Sequence, residues 1–168
     1  MKILATFDRT AFSESILPVL EKIAALPDAE FTLLTVAHEP HARIRGGMRT
    51  PIVGGATLGA TVPVVIPASD PSFAENKEQA VERRIAEMQD YLLNLGRQLP
   101  KGTSIHVEAH ISEDAAETII ERAKAEQPDV IVMATRSRGG LGGALFGTTT
   151  DKVVRSGVAP VLLVHPKE

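Results

Sequence analysis

The chain has 168 residues, 43% of them hydrophobic and 23% charged, with a formal net charge of −3. That length fits one domain with a sizeable core, and the charge balance leaves no basic footprint for nucleic acid. With no cysteine, disulfides, thiol catalysis and thiolate metal sites are excluded.

In chain order, "KILATF" (2–7) is the first of five short apolar, β-branched runs. It lacks the long apolar region and cleavage site of a signal peptide. Ile16, Leu20, Ile23 and Ala24 then share one helical face, closed by Pro27. "FTLLTV" (31–36) is the second strand. Residues 39–74 break the pattern, with five prolines, five glycines and no acidic residue between Glu39 and Asp70, but with Arg43, Arg45 and Arg49. A connection of this length is usually functional or mobile. Because it leaves strand two at the ligand edge, it is expected to cover that edge or a dimer seam, with "VPVVIP" as a candidate short strand. Val81, Ile85, Met88, Leu92 and Leu95 repeat at steps of four and three, a second helix. "SIHVEAHI" (104–111) is the third strand, and Ala116, Ile119, Ile120 and Ala123 mark a third helix, opened by an Asp114-to-Glu117 capping pattern. "DVIVMAT" (129–135) is the fourth strand. A capping-box pattern at Thr148 to Asp151 opens a last helix through Val153 and Val154, and "PVLLVH" (160–165) is the fifth strand. No apolar run approaches the ~20 residues of a membrane span, so a cytoplasmic protein with no membrane partner is expected.

Several strands are apolar at consecutive positions, which suits burial on both faces of a parallel sheet. The alternation predicts an α/β fold: a doubly wound, open five-stranded parallel sheet with helices on both faces. Right-handed crossovers place all strand C-termini along one edge. In the order 3-2-1-4-5, strands one and four flank the switch point where such sheets bind ligands. Asp8 and the stretch after strand four, "ATRSRGGLGGALFGTTTDKV" (134–153), meet there.

That stretch combines exposed amides, flanking cations and a helix N-terminus, which suit a phosphate; the other reading is a connecting loop. Gly142 and Gly147 have P-loop spacing, but Thr148 stands where the lysine is required. Gly140 and Gly142 begin a dinucleotide-binding G-x-G-x-x-G, but Leu145 takes the third place. Neither motif is present.

"GTTTDKVVRSGVAPVLLVHP" resembles the G-[ST]-x-x-x-x-V run and P-V-L-V-V strand of the universal stress protein family. "PDVIVMATRS" resembles that family's fourth strand and "ATFD" the end of its first, so the resemblance runs from Lys2 to Val164 apart from the insertion. It implies an adenine-nucleotide alpha-hydrolase-like fold and a stress-response regulatory protein that binds ATP, with Mg, at the C-terminal edge of the sheet. ATP-binding members carry G-x-x-G, nine residues, then G-[ST]. Aligned on Gly147-Thr148, the first two glycines fall at Ala134 and Ser137, both replaced, and the usual D-G-S after strand one is Asp8-Arg9-Thr10. By position, the resemblance places Asp8 at the ribose or metal, the Val36 backbone at the adenine edge and Met133 on the adenine ring, with Thr6 also among the nucleotide-binding residues. It places Ala134 near the nucleotide and Arg136, Ser137, Arg138, Gly147, Thr148 and Thr149 around the phosphates. Taken as residues alone, Asp8 and Thr148 are equally helix caps, Val36 and Met133 core, and Arg136 and Arg138 solvated.

No G-x-S-x-G elbow and no spaced carboxylate pair is present, so a binding protein and not an enzyme is expected, with slow ATP hydrolysis at Asp8 as the third reading. His106 and His110 fall on one side of a strand, too far apart to chelate a metal unaided. The competing class is a homodimeric interaction module that binds no nucleotide. Val161, Leu162, Leu163 and Val164 form an apolar terminal strand with little charge to protect it, and the resemblance implies its antiparallel pairing across a two-fold axis in a homodimer.

Overall fold

A computed structural model describes residues 1–39, 77–135 and 147–165. Its strands are β1 (Lys2–Phe7), β2 (Glu30–Ala37), β3 (Ser104–Ile111), β4 (Val130–Ala134) and β5 (Val161–Val164). They form one sheet in the order β3-β2-β1-β4-β5, every pair parallel. The expected strand order and the α/β alternation are both present.

Two helical layers cover the sheet, and the period-2 geometry of a strand explains why its runs are apolar throughout. Ile3, Ala5 and Phe7 of β1, with Phe31 and Leu33 of β2, face Leu17 and Leu20 of α2 (Leu17–Ala24) and Leu92 and Leu95 of α3 (Lys77–Gly96). Leu4, Leu34, Ile131 and Met133 point the other way. They pack on Ala116, Ile119 and Ala123 of α4 (Ala115–Glu126) and Val153 of α5 (Thr148–Ser156). β1, the middle of the order, and its neighbours β2 and β4 are thereby buried on both sides.

The first helix differs from its expected form. It is two pieces, α1 (Ala11–Glu14) and α2, with the break at Ser15 and Ile16. Pro18 explains it: a continuous helix would need the Pro18 amide to donate to the Glu14 carbonyl, and proline has no amide proton. At the second position of a new helix that proton is not missed. The short α1 is thus left as a separate turn at the end of β1, where the ligand edge lies.

α4 opens as the capping pattern requires, with Asp114 Oδ1 accepting from the amides of Ala116 (3.0 Å) and Glu117 (3.2 Å). It closes with Gln127 in the left-handed region (φ 50°) just before Pro128. Most of the 39–74 insertion, including "VPVVIP", lies outside the described residues. Its flanks are joined by an ion pair, Lys77 Nζ to Glu39 Oε2 at 2.7 Å. Among the described residues no helix is long and apolar enough to cross a membrane.

Candidate functional site

The C-terminal ends of β1 and β4 diverge toward opposite neighbours, and a cavity of about 520 Å³ opens where they part. That volume lies within the ~300–1,000 Å³ of small-molecule sites. Leu34 and Val36 of β2, Met133 and Ala134 of β4 and Ile119 of α4 give it an apolar wall. Thr6, Asp8 and Ser13 on one side and Gly147 to Thr150 on the other give it a polar rim. A flat apolar body with a polar, anionic tail matches that division.

Of the site residues expected from sequence, Thr6, Asp8, Val36, Met133, Ala134, Gly147, Thr148 and Thr149 all line this one cavity. Arg136, Ser137 and Arg138 lie outside the described residues. Sequence reasoning missed Phe7, Phe12, Ser13, Leu34, Ala115, Ile119 and Thr150. A signal for some of them was present. Any helix that follows a strand in this fold starts at the ligand edge, so the first turns of α1 and α4 belong to the site's perimeter by topology.

Three of these helix N-termini, those of α1, α4 and α5, line the cavity, and they are finished differently. α1 is capped by Thr10, whose Oγ1 accepts from the Ser13 amide at 3.3 Å. α4 is capped by Asp114. The N-cap of α5 is Gly147, extended at φ −65° and ψ 158°, with no side-chain cap bond. This corrects the expectation that Thr148 caps the helix. The Gly147 carbonyl already accepts from the Asp151 amide at 2.9 Å, so Thr148 is the first residue inside the helix and its hydroxyl is past the capping position. Among the described residues no side chain caps the first turn of α5, and it is this end that lines the cavity.

Asp8 does not cap α1 either. Its Oδ1 accepts from the Thr10 amide (3.0 Å) and the Thr10 hydroxyl (2.5 Å), so it holds the residue that does. Between them Arg9 takes φ 63°, the left-handed region, at the position where D-G-S has glycine. On the far rim Lys152 of α5 reaches Asp114 Oδ2 at 2.6 Å. The Lys152 ammonium and the two α4 amides hold the Asp114 carboxyl below the usual carboxylate range, and Asp114 holds Lys152 above the usual ammonium range. One carboxylate thereby closes α4 and fastens α5 beside it.

His106 and His110 both face Glu108, at 3.4 and 3.3 Å, and Glu108 also receives Arg122. Among the described residues no group of three His, Cys, Asp or Glu is arranged to hold a metal ion. At the sheet edge, Val161 and Leu163 pack toward α4 and α5, Val164 toward the opposite layer, and Leu162 is 40% exposed.

Comparison with known proteins gives the following likenesses. The family model described as "Universal stress protein family" matches residues 55–165. A Thermus aquaticus protein, the universal stress protein in the QAH/OAS sulfhydrylase 3′ region, is 44% identical over 50 residues; the match takes in 30% of this chain and 36% of that one, about a third of the relative's length. The hypothetical protein MJ0577 superposes with a TM-score of 0.65 at 22% identity, covering 99% of this chain and 96% of its own. A universal stress protein in complex with cAMP gives 0.60 at 14% identity, covering 98% and 96%. The universal stress protein from Archaeoglobus fulgidus in complex with dAMP gives 0.55 at 13% identity, covering 96% and 94%.

Proposed function

The chain belongs to the universal stress protein family, and from that premise we propose that it is a stress-response regulatory protein that binds ATP at the C-terminal edge of its sheet. The observation that carries this reading is the N-terminus of α5, with no side-chain cap among the described residues, at the cavity lined by Asp8 and Met133. In the proposed mode Met133, Val36 and Leu34 pack on the adenine, Asp8 accepts from the ribose, and the amides of Thr148 and Thr149 meet the phosphates. Relatives of the same fold that were solved with cAMP and dAMP support an adenine nucleotide as the ligand class. Mg arrives on the phosphates, as this ion usually does, without a dedicated protein cage.

We propose binding without turnover. Asp8 is the one carboxylate among the described lining residues, and its Oδ1 is already shared by two Thr10 donors. We also propose a homodimer paired through β5. The exposed Leu162 on a short edge strand supports it, since apolar edge strands favour pairing. Leu162→Lys is the probe for the pair, because Leu163 packs inward and its replacement would unsettle the subunit itself. Light scattering should show a dimer for wild type and a monomer for Leu162→Lys; a wild-type monomer at micromolar concentration rejects the pairing.

One observation favours a second reading, a dimeric interaction module with an empty pocket: Ala134 puts a methyl on the cavity wall where the ATP-binding motif has glycine. Purified protein, denatured and analysed by absorbance and mass spectrometry, separates the two. Release of an adenine nucleotide in near-stoichiometric amount supports the first. Its absence, with no thermal shift at millimolar ATP·Mg, rejects it.

A further inference from the structure

A chain of hydrogen bonds runs from α3 to the cavity. Tyr91, half-buried on α3, donates from its hydroxyl to Glu14 Oε1 at 3.0 Å across 77 residues of sequence. Glu14 is the last residue of α1, and its amide donates to the Thr10 carbonyl at 3.2 Å. The same carbonyl accepts from the Ser13 hydroxyl at 2.9 Å. Ser13 Oγ accepts in turn from the Asp8 amide at 3.2 Å. Thr10 closes the circuit by donating twice to the Asp8 carboxylate.

Two features make this circuit more than local packing. α1 is a single turn cut off from α2 by Pro18, so it has no long helix to hold it. The loop it anchors carries Arg9 in the left-handed region, a conformation that persists only when its surroundings impose it. The Tyr91 hydroxyl ties this turn to α3, the long helix of the same layer. Burial of the phenol, the bond to Glu14 and the nearby Asp8 charge all push the Tyr91 hydroxyl well above its ordinary range, so it remains a proton donor at any physiological pH.

We propose that Tyr91 is a positioning residue for the nucleotide site: through Glu14 and the α1 turn it sets the Asp8 carboxylate where a ribose hydroxyl is recognised. The proposal rests on the adenine-nucleotide reading above. It makes ribose recognition depend on a residue of α3 that does not line the cavity.

Tyr91→Phe keeps the ring and removes the donor. Binding of ATP·Mg and of 2′,3′-dideoxy-ATP·Mg is measured for wild type, Tyr91→Phe, Asp8→Asn and the double variant. Tyr91→Phe should weaken ATP about three- to tenfold, the reach of one hydrogen bond, and leave the dideoxy ligand unchanged. In the Asp8→Asn background the same change should do nothing to either ligand. An equal loss for both ligands, or no loss, overturns the proposal, since a merely structural role would not discriminate between them. Amide exchange in the ligand-free protein gives a second, independent reading. Tyr91→Phe should speed exchange at Asp8, Ser13 and Glu14 and not in α2; unchanged exchange overturns the coupling. Failure of wild type to bind either nucleotide rejects the nucleotide reading, and the exchange result then decides the coupling alone.

Discussion

Placing aspartate at Gly147 should raise the stability of the free protein and abolish its nucleotide binding, two effects of opposite sign from one side chain. Gly147 is the N-cap of α5 in an extended conformation that any residue adopts, and a Cβ built there meets no described atom within 4 Å. A carboxylate at this position accepts from the amides of Thr149 and Thr150, the donors a phosphate would use. Replacing a glycine cap by Asp gains a few tenths of a kcal/mol from the hydrogen bond and ~0.3–1 from the helix dipole. Repulsion from Asp151, one turn on and already paired with Arg155 at 2.7 Å, takes back ~0.2–0.5. The net gain is about 0.5 kcal/mol, or one to two degrees in Tm for a chain of this size. Ligand at 100 times its Kd stabilises wild type by about 2.7 kcal/mol, a shift of ~5–11 °C. Thermal melts with and without ATP·Mg should therefore show Gly147→Asp starting slightly higher and failing to move. Gly147→Asn, which caps without charge, separates occlusion from repulsion: loss of the shift in both variants assigns it to occlusion. If Gly147→Asp keeps the wild-type ligand shift, the phosphates do not sit on α5 and the reasoning fails.

Arg9→Gly should raise stability by ~0.5–1 kcal/mol in denaturant melts, because it relieves a left-handed arginine at φ 63° by more than the unfolded glycine regains in entropy. Asp114 has a depressed folded-state pKa, so its contribution is complete above the ordinary carboxylate value near ~3.9 and is lost as pH falls through the folded value. The Tm difference between wild type and Asp114→Asn, followed from pH 7 to 3, should therefore shrink toward zero at the acid end; a constant difference contradicts the Lys152 pairing as its source. Replacing 42–70 by a short Gly/Ser linker should leave a folded protein, since the flanking Glu39 and Lys77 are in contact, and should change nucleotide affinity or dimerisation. No change in either makes the insertion a passive connection.

The sheet was legible because burial on both faces leaves the central strands few polar positions. Ile3, Leu4 and Ala5 are consecutive and wholly buried, and once five such runs alternate with helical periods, few topologies remain. The ligand edge followed from topology, which is why Asp8, Val36, Met133 and Gly147, distant in sequence, were placed around one cavity from the sequence and its family resemblance. Phe12 and Ser13 were missed because helix one was read as a single element. Pro18 held the signal that it breaks, and the broken-off turn carries both residues to the rim.

What sequence pattern could not decide was which of two competent groups takes a shared position. Thr148 and Asp151 spell a capping box, and Gly147 directly precedes them. Thr148 could cap only if the helix began one residue later, which would forgo the bond between the Asp151 amide and the Gly147 carbonyl. The backbone bond wins, and the threonine moves inside the helix. The same competition appears at β5, where Leu162 and Leu163 are identical in type and adjacent. Period 2 sends one of them under α5 and puts the other on the face of Val164, where it is left 40% exposed at the sheet edge. Composition is blind to that alternation until the neighbouring helices are placed. Both cases have one consequence for function. The groups with no partner among the described residues, the α5 amides and the Leu162 side chain, are those to which the proposal assigns the nucleotide and the second subunit.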